Sequence, residues 1–160
     1  MQPRIETLPK KHFAGVRMTT SLADNQTHVL WRTFMPRRRE ITRVIGSELY
    51  SIERYGPAYF ERFDPQARFE KWAAVEVPAT TTVPEGWETL TTPEGLYAVF
   101  VHRGPASAGP TTYQFILGTW LPQSTYVVDH RPHFAVMGER YKGEDPDSEE
   151  ELWIPITKKV

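Results

Sequence analysis

The feature of this sequence that most constrains its fold is a weak internal repeat. Three short segments of the first half recur in the second half, in the same order and with a nearly constant offset. The matched segments are Glu6–Leu8 with Glu88–Leu90, Phe13–Val16 with Tyr97–Phe100, and Leu30–Pro36 with Ile116–Pro122. Such a period predicts two halves of one topology, at about residues 1–80 and 81–160. Two similar halves packed about a pseudo-twofold axis leave a crevice, which is a favoured place for a small-molecule pocket.

Length and composition predict one domain spanning residues 1–160, because neither half ends in an obvious linker. Lys and Arg number 19 against 20 Asp and Glu, so no net field draws the chain to nucleic acid or to an anionic membrane. Cysteine is absent, which excludes disulfides, thiolate metal sites and a cysteine nucleophile. No apolar run reaches the roughly 20 residues of a membrane helix. We therefore expect a soluble cytoplasmic protein with no nucleic-acid or membrane partner and no cofactor.

Hydrophobic periodicity predicts an α+β domain. Alternating apolar residues indicate strands at residues 4–20, 49–55, 72–77, 87–90, 96–102, 126–129, 133–137 and 152–157. The first of these segments is broken near Pro9. Helices are predicted at 25–35 and 111–121, ended by Pro36 and Pro122. The expected architecture is two pseudo-symmetric β-α-β-β halves, with both helices on one face of an antiparallel sheet and a ligand groove on the other.

The final predicted strand carries the most informative local pattern. Side chains of a strand alternate between two faces, so Glu151 and Trp153 share one face while Leu152 and Ile154 share the other. A lone carboxylate among aromatic rings is costly when it is ionised. Such a group can serve as a general acid or base, or it can bind a lipophilic cation while the rings stack on that cation. The alternative is an edge-strand Glu beside a partly exposed Trp.

The aromatic side chains predict the rest of the groove. The chain contains five Trp, seven Tyr and eight Phe, which is rich for a core of this size. We expect Tyr97, Trp87, Tyr55 and Phe134 to face the same concavity as Glu151 and Trp153, although a one-residue slip of register reverses a face.

Two polar patterns predict no further site. His130 and His133 have ligand-like spacing, but Asp129 is the one carboxylate beside them, so no metal site is predicted. Nucleic-acid binding usually needs a wider basic surface than the run Arg37–Arg39 offers, and this run is interpreted as solvated surface.

Taken together, several ordered segments resemble the GyrI-like small-molecule-binding family, which is related to the effector-binding domains of AraC-type and multidrug-responsive transcription regulators. The segments that carry the resemblance are Leu30–Arg37, Ala73–Val77, Val83–Glu88, Gly95–His102, Thr119–Ser124 and Glu151–Ile156. The resemblance covers nearly the whole chain and implies two β-α-β-β units about a pseudo-twofold axis, with a ligand groove between them.

The resemblance also implies candidate functions. The family often places an acidic residue of its final strand inside an aromatic groove, and that position corresponds to Glu151 here. Some regulators use it to bind cationic aromatic drugs, and some stand-alone members resemble hydrolases that open the cyclopropane of DNA-alkylating natural products. Because no helix-turn-helix unit precedes the domain, a stand-alone member is expected.

Three hypotheses therefore stay open. The first is a binding domain for hydrophobic, cationic or aromatic small molecules, with a buried Glu151 as counter-charge. The second is a hydrolase of electrophilic small molecules in which Glu151 is catalytic. The third is a protein-interaction domain.

Overall fold

The computed structural model describes residues 1–160 and shows an α+β fold built on one antiparallel sheet. The strands, numbered β1 to β9, are Arg4–Leu8, Lys11–Ser21, Leu49–Arg54, Arg68–Val77, Glu88–Thr92, Gly95–Arg103, Tyr126–Val128, His133–Met137 and Glu149–Lys158. They match the predicted strands, except that β4 begins four residues and β9 three residues earlier than predicted. The sequence leaves residues 56–70 open between turn, strand and short helix; in the structure residues 56–67 form turns and 68–70 belong to β4.

Two helical segments accompany the sheet. The first is α1, Thr27–Arg37, followed by a 3₁₀ turn at Arg38–Glu40. The second begins with α2, Gly109–Phe115, passes through a π-helical turn at Ile116–Trp120 and ends with α3, Leu121–Gln123. Neither segment has the length and hydrophobicity that a membrane span requires.

The prolines do not end the helices where they are predicted to. Pro36 lies inside the last turn of α1, which continues to Arg37. Beyond it the N–H of Arg38 bonds back to the carbonyl of Met35, so the helix tightens into the 3₁₀ turn. Pro122 likewise lies within α3, the last turn of the second helical segment, which continues to Gln123.

Cross-strand register places both helices on the same face of the sheet. Ser51 of β3 lies opposite Ala73 of β4 and also opposite Ala135 of β8. Ala73 packs in the cluster beneath Leu30 and Phe34 of α1, and Ala135 packs in the cluster beneath Ile116. Directly opposed residues share a face, so the two clusters lie side by side under the two helices.

The strand order shows that the sheet is strongly curled. Its order is β1-β6-β9-β8-β3-β4-β2-β5, with β7 paired to β9. Strands β1 and β2 are six positions apart, which is about 29 Å in a flat sheet. Only Pro9 and Lys10 connect them, and that link spans at most about 11 Å. The link between β5 and β6, Pro93 and Glu94, imposes the same condition.

The face without helices is the concave one, and we call it the inner face. Leu8 of β1 and Leu90 of β5, from opposite edges of the sheet, belong to one buried cluster on this face. The same cluster holds the rings of six aromatic residues, which are Phe13, Tyr50, Trp72, Tyr97, Phe134 and Trp153. Each large apolar side chain buried in this way contributes about 1.5–3 kcal/mol to folding.

The topology is the same when the two halves are exchanged. If β1, β2, β3 and β4 are exchanged with β5, β6, β8 and β9, the same strand order results, read from the opposite edge of the sheet. Each edge strand, β1 or β5, pairs with the other half of the chain. This order is what the repeat leads one to expect, while superposition of the two halves stays a prediction.

Strand β2 passes very close to β4 at Gly15. A Cβ there would lie 2.7 Å from the Cα of Ala74 and nearer still to the carbonyl oxygen of Ala73. We expect Gly15→Ala to lower the free energy of unfolding by about 1–3 kcal/mol, because backbone atoms must shift. Urea denaturation measures this loss. The control is Gly118→Ala, because a Cβ at this position meets nothing within 4 Å. This substitution should raise the free energy of unfolding by at most about 1 kcal/mol. An equal response of both variants would contradict the close approach.

Candidate functional site

Strand β9 presents Glu151 and Trp153 on the inner face, as its alternation predicts. Leu152, Ile154 and Ile156 pack beneath the second helix, whereas Trp153 joins the inner-face cluster. The indole N–H of Trp153 donates to Oε1 of Glu151 at 3.2 Å. The side chains of this carboxylate and this ring therefore form one unit.

A pocket of about 180 Å³ opens at this unit. We call it the inner-face groove, and its lining residues are Leu8, Lys11, Glu48, Tyr50, Phe134, Val136, Glu151 and Trp153. Phe134 stacks on Trp153 with ring centroids 5.4 Å apart and planes 17° apart. The groove thus combines a stacked aromatic surface with carboxylates at its margin.

Tyr50 also lines the groove, although it is not among the residues predicted for it. Its hydroxyl lies 3.5 Å from Oε1 of Glu76 on β4. Burial raises the pKa of the Tyr50 hydroxyl most, and the negative charges of Glu76 and Glu48 raise it further. Tyr50 therefore stays a neutral hydrogen-bond donor at all ordinary pH values. Strand parity could have found it. Tyr50 lies on the same face of β3 as Ile52, and Ile52 is the cross-strand partner of Phe134.

Two carboxylates at the groove, Glu151 in its lining and Glu76 beside Tyr50, have basic partners. Lys11 donates to both oxygens of Glu76 at 3.1 Å. Arg4 of β1 donates to Oε2 of Glu151 at 2.8 Å, and its Cζ lies 5.7 Å from the centre of the Trp153 ring. The side chain of Glu151 is 36% exposed. The expectation of an isolated, buried carboxylate is therefore not met, since Glu151 is ion-paired and partly open to solvent.

The structure brings together some of the aromatic residues predicted for the groove and separates others. Phe134 lines the groove. Tyr97 lies behind it, fully buried, with its ring 5.8 Å from that of Trp153. Its hydroxyl donates to the carbonyl of Pro132, and burial raises its pKa to about 12.

Trp87 and Tyr55 lie elsewhere. Trp87 packs against Phe34 of α1, at 5.3 Å between ring centroids, on the helix-covered face. Tyr55 follows the end of β3 and contacts Tyr59, Phe60 and His133. Neither ring is near Glu151.

Tyr55 lines a second cavity of about 240 Å³ between the 56–61 turn and the 128–133 segment. His133, also in its wall, is 1% exposed and stacks on Phe60. Its Nδ1 hydrogen-bonds to the hydroxyl of Tyr113 at 2.9 Å. Burial, aided by the charge of Arg131, lowers the pKa of His133 to about 3, so the imidazole is neutral near pH 7.

The smaller groove is the better candidate for a binding site, despite its size. It lies on the concave inner face where side chains of both halves meet, and it joins stacked rings with carboxylates. The second cavity holds no comparable pairing of a carboxylate with an indole. No group of three or more His, Asp or Glu side chains is placed to hold a metal ion.

The buried imidazole predicts a pH dependence of stability. His133 takes up a proton in the unfolded chain below about pH 6.5 but resists protonation in the folded chain down to about pH 3. Folding stability should therefore fall as pH drops through this window, by at most about 1.4 kcal/mol per pH unit from this group.

His133→Phe should reduce that slope between pH 7 and pH 4, because the replacement does not titrate. Urea denaturation at a series of pH values measures it, with His130→Asn, an exposed imidazole of the same segment, as the control. A slope for His133→Phe equal to that of the wild type would show that His133 is accessible to protons in the folded state.

Comparisons with solved structures support the fold. The protein SAV2435 bound to tetraphenylphosphonium matches with a TM-score of 0.72 at 13% identity, over 98% of this chain and 94% of that chain. The EcmrR C-terminal domain matches with a TM-score of 0.73 at 12% identity, over 99% and 98% of the two chains. A hydrolase from Listeria innocua matches with a TM-score of 0.58 at 14% identity, over 98% and 92%.

Comparison with curated proteins gave no significant match. The model of the GyrI-like small molecule binding domain, however, matches residues 1–157, which is nearly the entire sequence. This match agrees with the antiparallel sheet, the two helical segments and the open inner-face groove described above. The chain belongs to the GyrI-like small-molecule-binding domain family.

Proposed function

We propose that the inner-face groove binds lipophilic aromatic molecules, cations above all, with Glu151 as counter-charge and the Trp153–Phe134 pair as stacking surface. The observation that carries this proposal is the direct hydrogen bond between the Trp153 indole and Glu151, which fixes a carboxylate at the edge of a stacked aromatic ring. A cation placed there gains Coulomb attraction and a cation–π contact together.

The composition of the groove supports a preference for positive charge. Three carboxylates, Glu48, Glu76 and Glu151, surround Tyr50. Two side-chain cations, Arg4 and Lys11, pair with two of them. Glu48 pairs with no Lys or Arg, and Arg4 is shared between Glu151 and Glu6, so carboxylates outnumber cations near the aromatic surface. A bulky organic cation can satisfy the excess negative charge without a hydration shell of its own to lose, unlike an ammonium or metal ion.

A relative of the same fold supports the choice of ligand class. SAV2435 was captured with tetraphenylphosphonium, a cation whose charge is enclosed by four phenyl rings. Its identity to this chain is low, so it suggests a probe and does not transfer a site.

The test is titration of the wild type and Glu151→Gln with tetraphenylphosphonium, by calorimetry. Gln keeps the shape and removes the charge, so we expect a loss of about 1–3 kcal/mol in binding free energy. For triphenylphosphine oxide, a neutral aromatic ligand, the same substitution should reduce the binding free energy much less. Because the Arg4–Glu151 pair is partly exposed, the stability of the fold should change by less than about 1 kcal/mol.

Glu149→Gln is the matched control. Glu149 lies two residues earlier on β9, on the same face by parity, and pairs with Arg103 and Arg140 outside the groove. It should bind both ligands as the wild type does. Equal affinity of wild type and Glu151→Gln for tetraphenylphosphonium would contradict the counter-charge role.

One observation favours hydrolysis as a second candidate function. The Tyr50 hydroxyl and the Glu151 carboxylate line one groove, which places a hydroxyl group and a carboxylate base together. In such a reaction Glu151 would take a proton from water as the water oxygen bonds to a ring carbon, and the ring C–C bond would break. Tyr50 would protonate the leaving carbon and then regain its proton from Glu151, so that the net change is the addition of one water. Turnover of a cyclopropane-bearing electrophile, abolished in both Glu151→Gln and Tyr50→Phe, would support this candidate. Retained turnover in either variant would contradict it.

A further inference from the structure

The position that a ligand cation would take in the groove is already occupied by a side chain of the protein. The Arg4 guanidinium bonds to Oε2 of Glu151 at 2.8 Å and lies over the Trp153 ring, with Cζ 5.7 Å from its centre. These are the two contacts, one to a carboxylate and one to an indole face, through which the proposed function binds a lipophilic cation.

The exchange of edge strands brings Arg4 to this place. Strand β1 pairs with β6 of the other half, so that Arg4 lies opposite Val99, and Val99 in turn lies opposite Trp153. All three side chains point to the inner face. Arg4 therefore reaches Glu151 and Trp153 by extending over Val99.

Two features allow Arg4 to leave. The side chains of Arg4 and Glu151 are 44% and 36% exposed, and ion pairs this open to water contribute little to stability. Arg4 also contacts Oε1 of Glu6 on its own strand, at 3.1 Å. A guanidinium that turns away from Glu151 thus keeps a carboxylate partner.

The size of the groove indicates that a side chain has to move when a ligand binds. Its volume of about 180 Å³ is smaller than the roughly 300–1,000 Å³ typical of pockets for drug-sized ligands. Departure of Arg4 would uncover the face of Trp153 and the Oε2 atom of Glu151 together.

The geometry points to Arg4 as a specificity-determining residue: it is a tethered cation that competes with ligand cations for Glu151 and Trp153. This inference rests on the proposed function. A ligand binds only if it gains more from the groove than the guanidinium does. Bulky aromatic cations meet this condition because they bury more apolar surface, whereas small hydrated cations offer nothing that Arg4 lacks.

The experiment is a double-mutant cycle at Arg4 and Glu151, with tetraphenylphosphonium titrated by calorimetry. In the wild type, a ligand can bind only to the fraction of molecules in which Arg4 has left the site. Removing Arg4 should raise the apparent affinity by the inverse of that fraction. For a partly exposed pair we expect Arg4→Gln to bind roughly two- to fivefold tighter than the wild type. In the Glu151→Gln background the same substitution should give no gain, since the guanidinium no longer has the carboxylate to occupy.

Arg17→Gln is the matched control for a general change of charge. Arg17 lies opposite Trp72 on the inner-face side of β2, is 45% exposed and pairs with Glu88 and Glu70, away from the groove. It should leave the affinity unchanged. Titration with guanidinium chloride adds a second readout: weak binding should be detectable in Arg4→Gln but not in the wild type.

The outcomes separate this inference from the proposed function. If Glu151→Gln weakens binding but Arg4→Gln binds as the wild type does, the groove binds cations and Arg4 does not compete. An equal gain from Arg4→Gln in both backgrounds also overturns the competition, since it shows a general charge effect. Binding by Arg4→Gln alone, with none by the wild type, supports the competition and contradicts cation binding by the native groove. If neither protein binds, both ideas fail.

Discussion

The two short links between β1 and β2 and between β5 and β6 are the constraint on which the rest of the structure depends. Each link has two residues and joins strands that lie six positions apart in the sheet. A flat sheet cannot satisfy either link, so the sheet curls and its edges approach each other. The curl makes the helix-free face concave, brings Leu8 and Leu90 into one cluster with the rings, and opens the inner-face groove among them.

Features that depend on local sequence could be predicted. The strand and helix segments follow from periodicity, and the alternation along β9 correctly separates Glu151 and Trp153 from Leu152 and Ile154. The helix-covered face and the free face of the sheet follow from the same rule. The strand order is also consistent with the repeat, because exchanging the halves leaves it unchanged.

Features that depend on distant parts of the chain could not be predicted. Trp87 precedes β5 in a turn, where strand parity does not apply, and it packs under α1. The assignment of the two tyrosines near β3 was, by contrast, within reach of the sequence, because strand parity separates Tyr50, which lines the groove, from Tyr55, which follows the strand on the parity of Ser51 and Glu53. The pairing of Arg4 with Glu151 joins residues 147 positions apart, and it exists only because β1 crosses to the second half. No local pattern indicates that crossing, so Glu151 was expected to be isolated.

We propose that the curl creates one cation site, at Glu151 and Trp153, within the inner-face groove. A crystal structure of the protein with tetraphenylphosphonium tests it most directly. The account predicts phosphorus density in the groove, within about 6 Å of the Trp153 ring, with phenyl rings against Phe134 and the Arg4 side chain turned toward Glu6. Ligand density confined to the second cavity beside Tyr55 and His133, with the Arg4–Glu151 pair intact, would contradict it.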